Sequence, residues 1–116
     1  MKIVLQPNLV DFQGVVLVPV FEISEDRFEF EKILIPASIF SGKKDSVYIQ
    51  NDGISKITFV FLGLGKTTDY QSVKTIFRRA SFKQKEIIKD QLAVIIPEGF
   101  DDNLVEAAAS GLKLGT

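Results

Sequence analysis

The stretch Ile57-Thr58-Phe59-Val60-Phe61-Leu62 decides the fold, because every residue in it except Thr58 is apolar. Consecutive β-branched and aromatic residues over this length are typical of a strand that is buried on both faces. Gly63-Leu64-Gly65-Lys66 follows, and its two glycines are expected to break the strand. We therefore expect residues 57–62 to form a centrally placed strand of a β-sheet.

The residues before this strand predict a hairpin and a second buried strand. Residues 46–50 place Val47 and Ile49 on one face, and Asn51-Asp52-Gly53 is a turn signal. This pattern predicts an antiparallel hairpin with residues 57–62. Val15 to Phe21 is apolar throughout and predicts another strand buried on both faces. Within it, Pro19 is expected at a sheet edge, a bulge or the strand's end, because proline donates no hydrogen bond.

Two shorter stretches complete the first part of the chain. Lys2 to Leu5 is a short β-type run. Ser24 to Ile35 leaves strand and helix open, although Phe28 and Phe30 alternate with charged residues as in a strand. Whatever this segment forms is expected to end at Pro36.

The residues after the central strand predict a helix, a strand and a second helix. Val73, Ile76, Phe77 and Ala80 share one helical face, which predicts a helix from about Asp69 to Ile88. A Thr68–Gln71 capping box is expected at its start, and a buried strand over 91–96 is expected after it. A final helix is expected to be capped by Asp101 or Asp102, with Gly111 and Gly115 marking a close packing contact and the helix end. The apolar face of this helix is expected to consist of Leu104, Val105, Ala108, Ala109 and Leu112.

The order of these elements predicts the fold class. Strand 57–62, the first helix and strand 91–96 are expected to form a right-handed parallel crossover, while the upstream hairpin adds antiparallel pairing. The expected result is a mixed sheet with helices packed on it, an α/β or α+β sandwich. At 116 residues the chain fits one domain.

Composition narrows the possible chemistry. The chain contains no Cys and no His, which removes thiolate nucleophiles and the commonest general base and transition-metal ligand. The net charge of −1 gives no electrostatic reason to expect nucleic acid or a membrane as the main partner. The N-terminus lacks the apolar run of a signal peptide, and the longest apolar stretch is far shorter than a membrane helix. These features predict a cytoplasmic protein.

The segment from Gly63 to Thr68 is the best candidate for an anion site. Gly65-Lys66-Thr67 matches the end of a P-loop, but Val60 stands where that motif needs its first glycine. A dinucleotide-binding turn fails as well, because Thr68 replaces its third glycine. Gly63, Gly65, Lys66 and Thr67 still precede a predicted helix N-terminus, where an anion is favoured. The competing interpretation is a tight turn in which the glycines only supply unusual φ angles.

Other charged groups have simple structural explanations. The first predicted helix is basic, which fits a nucleic-acid surface, a solvated outer face or a contact with an acidic partner surface, and the charge balance disfavours the nucleic-acid surface. Its cations are Lys74, Arg78, Arg79, Lys83, Lys85 and Lys89. Asp101 and Asp102 fit a helix cap. The acids Glu22, Glu25 and Asp26 have no complementary segment that would make a catalytic or metal site.

Four segments recur in the order and spacing of a known family. They are Phe40-Ser41-Gly42-Lys43, Phe61-Leu62-Gly63-Leu64-Gly65-Lys66, Phe77-Arg78-Arg79-Ala80 and the Ala-rich run from Glu106 to Gly115. Together they resemble the N-terminal domain of the leucyl aminopeptidases, also called cytosol aminopeptidases. The likeness covers residues 40–116 by motif, and the residues before 40 by layout only.

This resemblance implies a macro-domain-like mixed β-sheet flanked by helices, and a non-catalytic N-terminal domain over residues 1–116. The parent would remove N-terminal amino acids from peptides with two divalent metal ions, Zn²⁺ or Mn²⁺. Those ligands and the catalytic Lys and Arg lie in the family's C-terminal domain, so the resemblance carries no catalytic or metal residue onto this sequence. It also implies that the chain is a piece of a longer protein, with its own catalytic domain as partner and a homo-oligomer, a hexamer, as the assembly.

Three functions therefore stand as hypotheses. The first is an accessory domain that packs on the aminopeptidase's catalytic domain, supports oligomer assembly and limits access to the active site. The alternative is a macro-like binding module whose Gly63–Thr68 turn holds a phosphate-containing ligand such as ADP-ribose. The third is nucleic-acid binding through the basic helix.

Overall fold

Seven strands and two helices form in the part of the chain that the structure, a computed structural model, describes: residues 2–52, 56–66, 69–88 and 91–115. In chain order they are β1 (Lys2–Leu5), β2 (Gly14–Phe21), β3 (Arg27–Phe30), β4 (Ile33–Pro36), β5 (Val47–Asp52), β6 (Ile57–Gly65), α1 (Tyr70–Lys83), β7 (Gln91–Val94) and α2 (Asp102–Leu114).

Five of these strands form one mixed sheet in the order β1-β7-β2-β6-β5. The β1/β7, β7/β2 and β2/β6 pairs are parallel, whereas β5 runs antiparallel to β6. The predicted hairpin and the mixed sheet of a single α/β domain are therefore confirmed. The apolar strand β6 is an inner strand as expected, although β2 occupies the middle of the sheet.

Strand β6 is longer than its glycines suggest. Gly63 lies opposite Val20 in the ladder, and Gly65 lies opposite Phe21. The expectation that Gly63 breaks the strand is therefore wrong, because its backbone keeps partners on both sides. A register shift after Val20 leaves Leu64 as the extra residue, and Gly65 then adopts a φ of +63°. The turn signal before β6 also begins late, since β5 extends through Asp52, and Gly53 lies outside the described residues.

Pro19 lies near the end of β2, at a position where the sheet does not need its N–H. Leu17 faces β7, because its carbonyl oxygen accepts from the Ile95 N–H at 3.0 Å. Side alternation along a strand makes Pro19 face the same way, beyond the last paired residue, Val94. The register shift follows directly after Val20. The expectation of a bulge or strand end at this proline is confirmed.

Helix α1 begins one residue later and ends five residues earlier than predicted. Asp69 is its N-cap, and the Asp69 carboxylate accepts from the Ser72 N–H at 3.0 Å, so the expected Thr68 capping box is wrong. Thr68 itself lies outside the described residues. The helix ends at Lys83, and the turns that follow it bring Ile88 back into the core.

Helix α2 begins as the sequence predicts. The Asp101 carboxylate accepts from the Leu104 N–H at 2.9 Å and caps the helix. The apolar face is turned slightly from the expected one, since Ala107 is fully buried while Val105 and Ala109 are half-buried. The two glycines of this region, Gly111 and Gly115, lie against the backbone of α1.

The two faces of the sheet are covered differently. Both helices pack on one face, where Phe77, Ile76 and Leu112 meet sheet residues such as Leu62. The other face is covered by the two-stranded hairpin β3–β4, whose Ile35 joins a second core cluster rich in phenylalanine. The expected helices therefore pack on one face of the sheet, and the undecided segment 24–35 contributes most of the hairpin that covers the other.

Candidate functional site

The predicted anion site lies at the end of β6, and its backbone donors are already bonded within the chain. The Gly63 N–H donates to the Ser46 carbonyl oxygen, and the Gly65 N–H donates to the Gly42 carbonyl oxygen, both at 2.8 Å. The Gly65 carbonyl oxygen accepts from the Glu22 N–H at 2.9 Å. Neither glycine therefore presents a free N–H to an anion.

The partner of these glycines is the loop of residues 41–46, which we call the plug loop. A Cβ on Gly63 would collide with the Lys43 carbonyl oxygen, and a Cβ on Gly42 would lie 2.7 Å from the Phe21 carbonyl oxygen. The Ser46 hydroxyl donates to the Lys43 carbonyl oxygen at 2.5 Å and closes the loop on itself. The glycines on both sides are there because two backbones touch.

The plug loop occupies the place where α/β proteins usually bind ligands. In open α/β sheets, ligands bind in the crevice outside the carboxyl ends of parallel strands. In this chain β2 and β6 end together at Phe21 and Gly65. The plug loop accepts from the Gly65 N–H and from the N–H of Ile23, two residues after β2. Lys66 is exposed beside it, and Thr67 lies outside the described residues. Anion contact at Lys66 and Thr67 stays a prediction.

The N-terminus of α1 already carries an anion of its own. The Ser72 N–H bonds to the Asp69 carboxylate, and this bond lowers the pKa of Asp69 below its ordinary value, with a smaller contribution from Lys44. A carboxylate at this position satisfies a helix N–H and interacts favourably with the helix dipole. An incoming phosphate would have to compete with it.

The cations of α1 have different surroundings. Arg79 donates to the Asp45 carboxylate at 3.1 Å and ties the helix to the plug loop. Lys74 lies 5.9 Å from the centre of the Tyr70 ring, on the same helix. Lys89 lies outside the described residues. The remaining cations gather near the end of the helix.

That end forms a small notch between the two helices. The helix-end notch has a volume of about 270 Å³ and is lined by Arg78, Arg79, Phe82, Lys83, Leu114 and Gly115. The cations of this notch are evident from the sequence, whereas its two apolar residues were not predicted to be part of a site. Phe82 and Leu114 are each about 60% exposed, although both are large and apolar. The signal was available, since neither residue fits the buried face of its helix.

A larger opening lies on the opposite face of the sheet. The hairpin-side cleft, about 710 Å³, has an apolar floor that includes Ile57, Phe59 and Ile95. Its rim combines the β3–β4 turn, where Glu31 has a φ of +54°, with the loop after β1. No residue predicted for a site lines this cleft.

The acidic groups do not converge on a metal site in the part of the chain that the structure describes. No three acidic side chains there lie close enough together to hold one ion. Asp101 caps α2, and Glu22, Glu25 and Asp26 are exposed at the turn after β2. The described residues therefore do not fit a site for two divalent metal ions.

Comparison with known proteins adds no relative. No protein-family model, curated protein or solved structure matches this chain. Among the described residues, neither helix has the length and apolar character needed to cross a bilayer.

Proposed function

We propose that this chain is the non-catalytic N-terminal accessory domain of a metal-dependent leucyl aminopeptidase, with a macro-domain-like fold. Its role is to pack on the catalytic domain of the same polypeptide and to support oligomer assembly. One observation carries the proposal: the segments that resemble the family contact one another through their backbones rather than converging on a cavity.

The first of these contacts joins two segments that are far apart in the sequence. The last three residues of Phe40-Ser41-Gly42-Lys43 belong to the plug loop, and the Gly42 carbonyl oxygen accepts from the Gly65 N–H at the end of β6. Phe40 packs its ring 6.2 Å from that of Phe61, in the core below. Both segments serve to hold one sheet end together.

The second contact joins the two helices. A Cβ on Gly111 would collide with the Lys74 carbonyl oxygen, and one on Gly115 would lie 2.5 Å from the Arg78 carbonyl oxygen. The Ala-rich run therefore brings α2 into backbone contact with α1. A segment used in this way maintains a scaffold, as an accessory domain requires.

The metal chemistry of the proposed parent belongs to its catalytic domain. Two divalent ions there would activate water and polarise the peptide carbonyl. The sequence has no His or Cys, and the described acids form no ligand cluster. No step of peptide hydrolysis is assigned to this chain.

The test compares this chain with the product of its whole reading frame. We expect the DNA after codon 116 to continue for a domain of a few hundred residues. Leucine p-nitroanilide with Mn²⁺ or Zn²⁺ is then hydrolysed by the whole product and left intact by residues 1–116. A stop codon directly after Thr116, or hydrolysis by residues 1–116 alone, would contradict the proposal.

The alternative, a binding module for ADP-ribose, has less support in the geometry. The Gly63 and Gly65 N–H groups donate to the plug loop, and Asp69 occupies the helix N-terminus. We therefore expect titration calorimetry with ADP-ribose to give no heat and no thermal shift. Saturable binding that is lost in Lys66→Ala, with a Lys32→Ala control unchanged, would favour the binding module instead.

A further inference from the structure

The helix-end notch brings together two exposed apolar side chains from different helices. Phe82 follows the last buried residue of α1, and Leu114 ends α2, so they are 61% and 60% exposed. Both line the same notch, at the place where Gly115 packs against the backbone of α1 near Arg78 and Ser81. A contiguous apolar surface rimmed by polar groups is typical of an interaction site.

All the charged residues that line the notch are cations. Arg78, Arg79 and Lys83 line it, and the Lys85 ammonium lies 4.7 Å from the centre of the Phe82 ring. Arg79 is paired with Asp45, whereas Arg78 and Lys83 make no ion pair with any residue that the structure describes. The notch is therefore an apolar floor inside a positive rim.

Helix electrostatics explain only part of this rim. A cation in the last turn of a helix is stabilised by the helix dipole, which accounts for Lys83. That effect falls off within the last turn, and Arg78 lies more than a turn before the end of α1. Arg78 therefore adds to the rim a positive charge that the helix dipole does not account for.

We propose that the helix-end notch binds an acidic peptide segment of a partner protein, which inserts one apolar side chain between Phe82 and Leu114. Carboxylates of the segment face Arg78 and Lys83, where opposite charges steer the encounter and fix its register. The volume of about 270 Å³ lies below the roughly 300 Å³ of the smallest ligand pockets, so it suits a single side chain. The proposal rests on the notch alone and does not require an aminopeptidase parent.

The experiment measures fluorescence anisotropy of labelled synthetic peptides on the 116-residue protein. The probe is a short Glu-rich peptide with one central Leu, and its controls replace that Leu by Ser or every Glu by Lys. We expect a Kd on the order of 10–100 μM for the probe, and binding roughly tenfold or more weaker for both controls.

Variants of the protein place the binding at the notch. Arg78→Glu and Phe82→Ala are each expected to weaken probe binding by about tenfold, since they remove the charge and the anchor contact respectively. Lys32→Glu and Val10→Ala change an exposed cation and an exposed apolar residue at the hairpin-side cleft and are expected to leave it unchanged. Circular dichroism checks that all four variants keep the fold.

Four results would overturn the proposal. The first is no probe binding at about 1 mM, and the second is binding that the notch variants leave unchanged. Equal binding of the probe, its Ser control and a single-stranded oligonucleotide would show a general polyanion surface instead. A dimer in analytical ultracentrifugation that Phe82→Ala dissociates, without probe binding, would identify a second copy of the chain as the occupant.

Discussion

Asp69 shows how one side chain sets the start of a helix. Its carboxylate accepts from the Ser72 N–H, and the resulting pKa lies below the ordinary value of 3.8. The carboxylate is exposed, so solvent screens its charge and most of its effect comes from the hydrogen bond. Asp69, at which the helix was predicted to begin, is therefore its N-cap.

Removing this carboxylate is expected to lower stability in a pH-dependent way. Asp69→Ala leaves the Ser72 N–H without its partner, so we expect the melting temperature at pH 7 to fall by roughly 2–5 °C. A lowered pKa stabilises the folded state above the ordinary pKa, and this stabilisation is lost as the pH falls through the folded-state value. The difference from wild type should therefore be full above pH 4 and shrink below pH 3.8.

Calorimetric scans from pH 7 to pH 2 make this measurement, with Glu98→Ala as the control because Glu98 is exposed in a turn. A difference that stays constant down to the lowest pH would show that the Asp69 carboxylate does not stabilise α1.

Gly63 is a position where the neighbouring backbone leaves no room for a side chain. A Cβ there would collide with the Lys43 carbonyl oxygen and the Ser46 hydroxyl. We expect Gly63→Ala to lower the free energy of unfolding by about 3 kcal/mol, because backbone of the plug loop must move. Urea denaturation measures the change.

Gly99→Ala is the matched control for this steric effect. Gly99 has a φ of +96° and no atom near the added Cβ, so the same substitution costs only backbone strain, about 1 kcal/mol. Equal losses in the two variants would mean that the Gly63 contact with the plug loop is unimportant for stability.

At the scale of elements, the contact between α1 and α2 sets two effects against each other. An alanine in a helix interior is favoured over glycine by roughly 1 kcal/mol. At Gly111, however, the added Cβ would collide with the Lys74 carbonyl oxygen and lie 3.0 Å from the Arg78 backbone nitrogen. We expect the collision to win, so that Gly111→Ala lowers the free energy of unfolding by about 2 kcal/mol. Chemical denaturation measures the change.

Ser110→Ala is the control on the same helix, since Ser110 is only half-buried. It is expected to change stability by less than about 0.5 kcal/mol. A gain in stability for Gly111→Ala would show that the two helices can separate slightly without loss.

The sequence predicts most elements but misplaces several of their ends. Runs such as residues 15–21 and 57–62 are apolar enough to identify strands, and Asp101 identifies the N-cap of α2. The end of β6 was predicted too early, because a glycine within a strand pattern usually indicates a break. The actual reason for a glycine at position 63 is the close approach of a backbone 20 residues upstream. That cause is a tertiary contact of Gly63 with Lys43, which local pattern does not contain.

The candidate sites were predictable only in part, for the same reason. The sequence identified Lys66 and the cations of α1 by residue type. It did not place the plug loop over the ends of β2 and β6, because hydrogen bonds such as Gly65 to Gly42 join distant segments. Nor did it bring Phe82 next to Leu114, since the angle between two helices depends on packing rather than on either helix's periodicity.

At the scale of the whole molecule, Phe61 lies at the centre of the aromatic cluster that packs on one face of the sheet. It is fully buried, and its ring lies 5.8–6.2 Å from those of five other aromatic residues: Phe28, Phe30, Phe40, Tyr48 and Phe59. Because β6 also carries Leu62 and Leu64 in the opposite core, damage on one face is expected to reach the other.

We expect Phe61→Ala to lower the free energy of unfolding by about 4 kcal/mol while unfolding stays a single transition. Far-UV circular dichroism reports the helices on one face, and near-UV signals report the aromatic cluster on the other. Ile39→Ala, at a residue that is 60% exposed, should change stability by less than about 0.5 kcal/mol. Helices that outlast the aromatic cluster would show that the two faces unfold separately.

The pairing of β1 with β7 has a consequence for synthesis on the ribosome. Lys2 lies opposite Gln91, and Leu5 lies opposite Val94, so the first strand has its only sheet neighbour in the described chain near the other end. At about 5–20 residues per second, translation leaves roughly 5 to 20 seconds between the emergence of β1 and that of its partner. During that time Ile3 and Val4, which are half-buried in the folded state, have no strand to join. We therefore expect this edge of the sheet to close late, with β1 unpaired until β7 emerges.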